Sequence, residues 1–392
     1  MWIQRDISKI LSSNNDPIQI IRGPRQCGKS SLILKLDPDF KEISLDDLHL
    51  RSLAQNDPEL FLKQFGTHKL FIDEAQYAPN LFPALKRKID LYKRESKKIK
   101  TIIRMTGSNQ ILMDKNIKES LAGRASYFDM NTLSVSEILS NETKNIQDIL
   151  YMGGWPELHS RIDVNPKKYL DDYIGSYIEK DIVLTSGIQK STEFLKFIKL
   201  LAGRVGEILD FASLAKDTGV DSKTIKDWIS ILERMHIVAL VQPYSNNLST
   251  RLIKSPKIFF IDTGLACRLQ GWTSSETILT SPQQGHLFEN LVFAEIYKMN
   301  INSQYGFEIF HWRSKDGEEI DFLIKNQKDY LFIEAKVSPR TLSNIQNFRE
   351  VKKSFKTHIP NIILCHQEGQ HTLGQQVPIG LLNSFIKSYF NL

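Results

Sequence analysis

Long hydrophobic runs are scarce in this sequence. The longest, such as Ile258-Phe-Phe-Ile261, are far shorter than the ~20 apolar residues that a membrane-spanning helix needs. The first residues, Met1-Trp-Ile-Gln-Arg-Asp6, contain no apolar core followed by small residues, so we expect no secretory signal peptide. These absences argue against the membrane and secreted classes, and the sequence predicts a cytoplasmic protein with no membrane partner.

Cysteine is equally rare. The chain has three cysteines, Cys27, Cys267 and Cys365, which are odd in number and far apart. They form neither a disulfide framework nor a metal-ligand spacing. We therefore expect the protein to function in a reducing compartment.

Repeats and low-complexity linkers are also missing, and what remains is ordinary globular composition. The 392 residues are 41% hydrophobic and 24% charged. At roughly 100–200 residues per domain, this length predicts two or three domains.

The net charge of +6 comes largely from one stretch. Between Lys86 and Arg104 there are nine Lys and Arg residues against Asp90 and Glu95. Charge runs of this kind are typical of a solvated helix face. They are also the pattern of a contact for a polyanion, and the sequence leaves both interpretations open.

Apolar strands alternate with helical segments in the first third of the chain. Residues 17–22, 69–74 and 101–106 have the pattern of short buried strands, and residues 30–36 that of a helix. This alternation predicts an α/β fold with a mostly parallel sheet and helices on both faces. Ligands of such sheets bind at the carboxyl ends of the strands.

The rest of the chain changes pattern twice. Residues 131–190 look helical and are predicted to form a lid beside the ligand site of the sheet. Residues 191–258 contain a helix, a glycine turn, a second helix capped by Asp221 or Ser222, and a strand, which is the order of a winged helix-turn-helix. Residues 259–392 combine a helix with three strands. The predicted domains are therefore 1–130, 131–190, 191–258 and 259–392.

A phosphate-binding motif lies between the first strand and the first helix. Gly23-Pro-Arg-Gln-Cys-Gly-Lys-Ser30 matches G-x-x-x-x-G-K-[ST] at every fixed position. Backbone N–H groups and the helix N-terminus bind the phosphates in such loops, the lysine reaches the β- and γ-phosphates, and the hydroxyl binds Mg²⁺. We expect ATP and Mg²⁺ as cofactors, bound by Gly23, Pro24, Arg25, Gln26, Cys27, Gly28, Lys29, Ser30 and Ser31.

An acidic pair follows the second strand. Asp73 comes directly after the apolar run Leu70-Phe-Ile72 and is predicted to hold Mg²⁺ together with Ser30. Glu74 is predicted to act as the general base that polarises the attacking water. Such pairs are common at strand ends, and the preceding phosphate-binding motif is what makes this pair specific.

Two further groups are candidates for the same site. Ser108 and Asn109 follow the third strand, where a polar side chain either holds the water or merely caps a turn. Arg124 either acts as an arginine finger toward a neighbouring subunit of a homo-oligomer or forms a structural ion pair.

Four motifs taken together resemble the prokaryotic predicted ATPases of the AAA+ superfamily, which carry a C-terminal nuclease-like domain. They are Gly23-Pro-Arg-Gln-x-Gly-Lys-Ser30, Phe71-Ile-Asp-Glu-Ala-Gln76, Thr106-Gly-Ser-Asn109 and Ser120-Leu-Ala-Gly-Arg124. The resemblance runs to about residue 340 and includes Gly153-Gly-Trp-Pro-Glu157, Tyr177-Ile-Glu-Lys-Asp181 and Phe260-Ile-Asp-Thr-Gly-Leu265. The family often has an aliphatic residue where Cys27 stands, a position that contributes only backbone.

The C-terminal acids look like the PD-(D/E)xK arrangement of restriction-endonuclease-like folds. Asp321, Glu334 and Lys336 follow its order, with Ile320 in place of the proline. The resemblance implies that Asp321 and Glu334 bind a second Mg²⁺ beside Lys336, with Glu289 completing the acidic cluster. Nuclease-like domains also keep the fold without activity, so cleavage is open.

Two functions follow as hypotheses. The first is an ATP-driven enzyme that acts on DNA through the winged helix, whose helix begins with Lys223, Thr224 and Lys226, and through the nuclease-like domain. The second is a nucleotide-dependent switch in regulation or defence whose C-terminal modules bind protein.

Overall fold

Two compact units make up the chain in the computed structural model. The N-terminal unit is Gln4–Thr132, and the C-terminal unit is Leu133–Leu392 together with the first three residues. The structure describes residues 2–66, 69–95, 98–107, 121–141, 143–245, 255–314, 319–337, 361–366 and 376–392. The chain is thus divided once, close to the predicted boundary after residue 130, and the further boundaries at 190 and 258 stay predictions.

The N-terminal unit is an α/β domain. Its five strands form one parallel sheet in the order β2-β3-β4-β1-β5. The strands are β1 (Ile18–Arg22), β2 (Lys41–Ser44), β3 (Leu70–Asp73), β4 (Ile103–Gly107) and β5 (Ala125–Asp129). The helices are α1 (Ile7–Ser13), α2 (Lys29–Leu36), α3 (Leu48–Asn56), α4 (Pro58–Phe65) and α5 (Leu81–Glu95), with a 3₁₀ turn at Ala75–Tyr77. The three predicted strands are β1, β3 and β4, and the predicted helix is α2.

Buried side chains cover both faces of this sheet. One hydrophobic cluster contains Ile20, Ile72 and Leu85, and the other contains Ile21, Phe71 and Phe128. Neighbouring residues of one strand lie in different clusters because successive side chains point to opposite faces. This double burial explains why the strands appear in the sequence as short apolar runs.

The C-terminal unit begins with helices and ends in a mixed sheet. Its helices are α6 (Val135–Leu139), α7 (Ile146–Met152), α8 (Pro156–Ser160), α9 (Pro166–Tyr173), a π-helix (Ile174–Ile182), α10 (Val183–Thr185), α11 (Ser191–Ala202), α12 (Phe211–Thr218), α13 (Ser222–Arg234), α14 (Thr263–Leu269), α15 (Ser275–Leu279), α16 (Gln284–Ser303) and α17 (Ile379–Phe390). The helices between residues 133 and 190 confirm the helical pattern, and their role as a lid stays a prediction. None of the described helices is long and apolar enough to cross a membrane.

Seven strands form the sheet of this unit, in the order β12-β11-β10-β9-β8-β6-β7. They are β6 (Val238–Pro243), β7 (Lys257–Phe260), β8 (Glu308–Arg313), β9 (Glu319–Asn326), β10 (Asp329–Ala335), β11 (Asn361–His366) and β12 (Gln376–Pro378). β6 pairs antiparallel with β7 and parallel with β8. The strand that follows the predicted helix-turn-helix therefore shares a sheet with the strands that carry Asp321 and Glu334.

A buried carboxylate on the long helix α16 binds the start of this unit through hydrogen bonds. Glu295 on α16 accepts hydrogen bonds from the backbone N–H groups of Val135 (2.6 Å) and Ser136 (3.2 Å) at the start of α6. Lys298, one turn further along, donates to the carbonyl of Leu133 (2.9 Å). Burial raises the pKa of Glu295 to about 7. The segment that directly follows the N-terminal unit is thus held by three polar contacts to α16.

Candidate functional site

The loop between β1 and α2 has the conformation that its glycines permit. Gly23 has φ +152°, and a side chain there would collide with the carbonyl oxygen of Met130. Gly28 has φ +93° and directly precedes α2. Gln26 also has positive φ, at 60°. Because glycine adopts such backbone angles freely, the two fixed glycines allow the loop to wrap tightly around a phosphate.

Lys29 lies across this loop. Its side chain is buried, and Nζ donates to the carbonyls of Gly23 (3.0 Å) and Pro24 (2.7 Å). These are the first two residues of the motif, so the ammonium group lies inside the loop curvature. A cation held there is positioned to bind a phosphate group.

The predicted magnesium ligands meet. Ser30 Oγ is 3.0 Å from both carboxylate oxygens of Asp73. The Thr106 hydroxyl, at the carboxyl end of β4, also donates to Asp73. Hydroxyl and carboxylate oxygens are ligands that Mg²⁺ prefers. Thr106 was not predicted for this role, although its place at the end of an apolar strand pattern is a signal that the sequence contains.

Glu74 follows Asp73 in a left-handed backbone conformation, with φ 54°. The buried amide of Gln76 donates to its carboxylate. Partial burial raises the pKa of Asp46, and the nearby carboxylates of Glu74 and Asp73 raise it further. The carboxylates of Asp73 and Glu74 therefore lie close enough to Asp46, at the ends of β2 and β3, to disfavour its negative charge. Ser108 and Asn109 lie outside the described residues.

Arg124 forms a two-pronged ion pair. Its Nε donates to Asp90 Oδ1 (2.7 Å) and its Nη2 to Asp90 Oδ2 (2.9 Å). Parallel N–H···O bonds of this type are the most specific geometry of the guanidinium group. Of the two interpretations of Arg124, this geometry favours the structural ion pair within the chain.

Several cations of the basic stretch form ion pairs or hydrogen bonds within the N-terminal unit. Arg87 pairs with Glu59, Lys88 donates to the carbonyl of Gly66, and Lys93 donates to that of Gly123. Arg104 is buried and lies 2.6 Å from Asp37. Lys97 lies outside the described residues. Arg87 and Arg104 are thus neutralised by carboxylates, whereas Lys88 and Lys93 keep their charge beside neutral carbonyls.

The C-terminal acids also come together. Asp321 on β9 accepts a hydrogen bond from the backbone of Ala335 (2.8 Å), and its own N–H lies 3.4 Å from Glu334. Burial and the nearby Asp321 raise the pKa of Glu334 to about 7 and that of Glu289 to about 8. The D-x12-E-x-K spacing therefore does place its acids in one cluster with Glu289.

Two lysines neutralise this cluster. Lys336 Nζ lies 2.6 Å from Glu334, and the buried Lys257 on β7 lies 3.0 Å from Glu289 and 2.6 Å from Glu319. Burial alone would lower the pKa of Lys257, but Glu289 and Asp321 raise it above its usual value. Among the described residues, no group of three or more His, Cys, Asp or Glu is arranged to hold a metal ion. The second Mg²⁺ site and metal-dependent cleavage both stay predictions.

Three families match separate parts of the chain. Residues 15–139 match the family described as AAA domain, which confirms the P-loop ATPase part of the resemblance. Residues 143–276 and 284–382 match two domains of unknown function, DUF8612 and DUF4143. Neither description names a nuclease or a winged helix.

Similar whole proteins occur in bacteria and archaea. The uncharacterized protein Rv2008c of Mycobacterium tuberculosis is 25% identical over 312 residues, which is 79% of this chain and 68% of the relative. The uncharacterized protein MJ1544 of Methanocaldococcus jannaschii is 26% identical over an alignment of 354 positions that covers 82% of this chain and 75% of the relative.

Solved structures give weaker likenesses. The Walker-type ATPase PABY2304 of Pyrococcus abyssi has a TM-score of 0.40 and 16% identity, covering 68% of this chain and 95% of that one. The ORC2 protein of Aeropyrum pernix has a TM-score of 0.32 and 12% identity, covering 67% and 90%. At such scores these likenesses establish neither fold nor function for this chain.

Proposed function

We propose that this chain is a Mg²⁺-dependent ATPase whose site lies at the carboxyl ends of β1, β3 and β4. The observation that carries the proposal is the contact of Ser30 with both carboxylate oxygens of Asp73, at 3.0 Å, across 43 residues of sequence. The two residues come from separate motifs and meet beside a loop shaped by Gly23 and Gly28. The match of residues 15–139 to AAA domains supports the proposal.

Each residue of the site has a role that follows from its chemistry. Ser30 and Asp73 would hold Mg²⁺, which when bound neutralises charge on the phosphates. The Lys29 ammonium exchanges its carbonyl partners for phosphate oxygens. Glu74 accepts a proton from the attacking water, and Gln76 orients its carboxylate.

The test is phosphate release from ATP by the purified full-length chain, with Mg²⁺ and with EDTA. We expect release only with the metal, because Ser30 and Asp73 alone offer the phosphates no positive charge. No release in either buffer, or equal release in both, contradicts the proposal.

The macromolecule on which the ATPase acts is proposed to be DNA. Helix α12, the left-handed Gly219, the Asp221-capped helix α13 and the β6–β7 hairpin follow one another in the order of a winged helix. Lys223 and Lys226 are exposed in the first turns of α13. Exposed lysines at the start of such a helix are positioned to contact phosphates.

Stimulation of ATP turnover by duplex DNA tests this second step. We expect DNA to raise turnover and the effect to fall steeply as salt increases. Replacing both Lys223 and Lys226 with alanine is expected to weaken DNA binding and to lower the salt slope by about 1 for each of the two lysines that binds a phosphate. The matched control replaces the exposed Lys196 and Lys199 of α11 with alanine and is expected to behave as the parent protein.

Turnover that DNA does not change, with no DNA retained at low salt, would instead favour the nucleotide-dependent switch. One observation gives that alternative weight. Four cations of the basic stretch, Arg87, Lys88, Lys93 and Arg104, already have partners within the chain. In the switch, the C-terminal unit binds protein and the nucleotide state sets its conformation. A homo-oligomer remains a prediction in both cases.

A further inference from the structure

Arg5 is a buried arginine that lies outside every motif of the sequence. It precedes α1 and is only 3% exposed. Its Nη1 donates to the carbonyl of Cys27 (2.9 Å), and its Nη2 donates to the carbonyl of Asn131 (2.6 Å). One guanidinium group therefore links the phosphate-binding loop to the chain just after β5, both within the N-terminal unit.

The position of the Cys27 carbonyl matters because of the peptide plane. A trans peptide places the C=O of one residue and the N–H of the next in one plane, pointing in opposite directions. The hydrogen bond from Arg5 to the Cys27 oxygen therefore also determines where the N–H of Gly28 points. That N–H directly precedes α2, where backbone donors of a phosphate-binding loop converge.

The same backbone is poorly restrained by local structure. Gln26 and Gly28 on either side of Cys27 have φ of 60° and 93°, which are sparsely populated conformations outside glycine. The loop is instead held by hydrogen bonds to the residue that directly follows β5. Cys27 Sγ donates to the Met130 carbonyl (3.4 Å), and Met130 N–H donates to the Arg22 carbonyl (2.8 Å). Arg5 adds the charged link to this set of contacts.

We infer that Arg5 is a positioning residue of the nucleotide site. It holds the Cys27–Gly28 peptide so that the Gly28 N–H faces the bound phosphates. The inference rests on the proposed nucleotide binding and adds a residue to it. A guanidinium is suited to this task because its planar donors reach two carbonyls at fixed angles, whereas a lysine ammonium has no such fixed geometry.

The experiment measures the dissociation constant of a fluorescent ATP analogue, together with KM and kcat for ATP, in the full-length chain. Arg5→Met is expected to raise the dissociation constant and KM by about 10- to 100-fold, the range expected from removing a charge-assisted hydrogen bond. We expect a much smaller change in kcat because Glu74 is untouched. Arg5→Lys keeps one charged donor and is expected to fall between the parent and Arg5→Met.

Arg104→Met is the matched control, because it also removes a buried guanidinium from the N-terminal unit, one that pairs with Asp37 after α2 rather than with the loop. It is expected to lower the melting temperature and to leave the dissociation constant of the folded protein unchanged. An equal rise in Arg104→Met and Arg5→Met would overturn the inference, because both effects would then reflect general destabilisation. A dissociation constant within about twofold of the parent value in a folded Arg5→Met would also overturn the inference. If Arg5→Met does not fold, the same result in Arg5→Lys would overturn it.

The outcome is separable from that of the proposed function. If the parent protein itself binds no nucleotide, the proposed function fails and the positioning role of Arg5 fails with it. If the parent binds nucleotide and Arg5→Met binds it equally well, the proposed function stands and the positioning role of Arg5 fails.

Discussion

Replacing Glu74 with glutamine is expected to lower kcat for ATP hydrolysis by about 10²- to 10⁴-fold, the usual contribution of a general base. The amide has almost the size of the carboxylate but cannot accept the proton of the attacking water. Nucleotide affinity is expected to change little, because the loop Gly23–Ser30 is intact. The measurement is single-turnover hydrolysis alongside the dissociation constant of the ATP analogue.

Glu42→Gln is the control for this variant. Glu42 lies on β2 of the same sheet and is exposed, so the same chemical change there is expected to leave hydrolysis unaltered. Normal hydrolysis by Glu74→Gln would show that another group, such as the nearby Asp46, takes the proton. Loss of nucleotide binding as well as hydrolysis would mean that Glu74 supports the site rather than acts as its base.

Replacing Lys29 with alanine is expected to remove most nucleotide affinity. A hydrogen bond to a charged group is worth about 1.5–3 kcal/mol, and about 1.4 kcal/mol changes an affinity tenfold. A lysine that binds both the β- and γ-phosphates therefore accounts for at least about a 10- to 100-fold change in the dissociation constant. The variant also leaves the carbonyls of Gly23 and Pro24 without this donor, so its melting curve must be recorded beside the binding curve.

Lys35→Ala provides the comparison on the same helix. Lys35 lies in the last turn of α2 and is exposed, so this substitution removes one positive charge without touching the loop. We expect parental affinity from it. A folded Lys29→Ala variant that binds ATP as tightly as the parent would refute the phosphate-binding role of this loop and the ATPase proposal with it.

Local sequence pattern was enough to predict the elements that surround the proposed nucleotide site. The apolar run before Asp73 predicted β3, because a strand that is buried on both faces has no polar residue until its carboxyl end. Helix α2 was predicted over residues 30–36 from its residue pattern, and it begins at Lys29 directly after the left-handed Gly28. Asp221 or Ser222 was predicted to cap the second helix of the helix-turn-helix, and the cap is Asp221, whose side chain accepts from the Thr224 N–H.

Contacts between distant residues were not predictable in the same way. Arg5 and Asn131 are 126 residues apart, and no periodicity or motif links them. Lys257 belongs to none of the motifs, yet it lies between Glu289 and Glu319. Thr106 was passed over in favour of Ser108 and Asn109, because strand order, which the sequence does not reveal, decides which side chain faces Asp73.

The sequence by itself determined which residues make up the proposed N-terminal site. Its glycines, lysine, serine and acids are specified by spacing, because a phosphate-binding loop is a local structure whose backbone geometry depends on a few neighbouring residues. Tertiary structure alone decided the pairing of Arg124 with Asp90, the lysines within the C-terminal acidic cluster, and the link from Arg5 to the loop. These contacts depend on which strands and helices pack together. Such packing brings together charged residues whose separation in the sequence follows no regular interval.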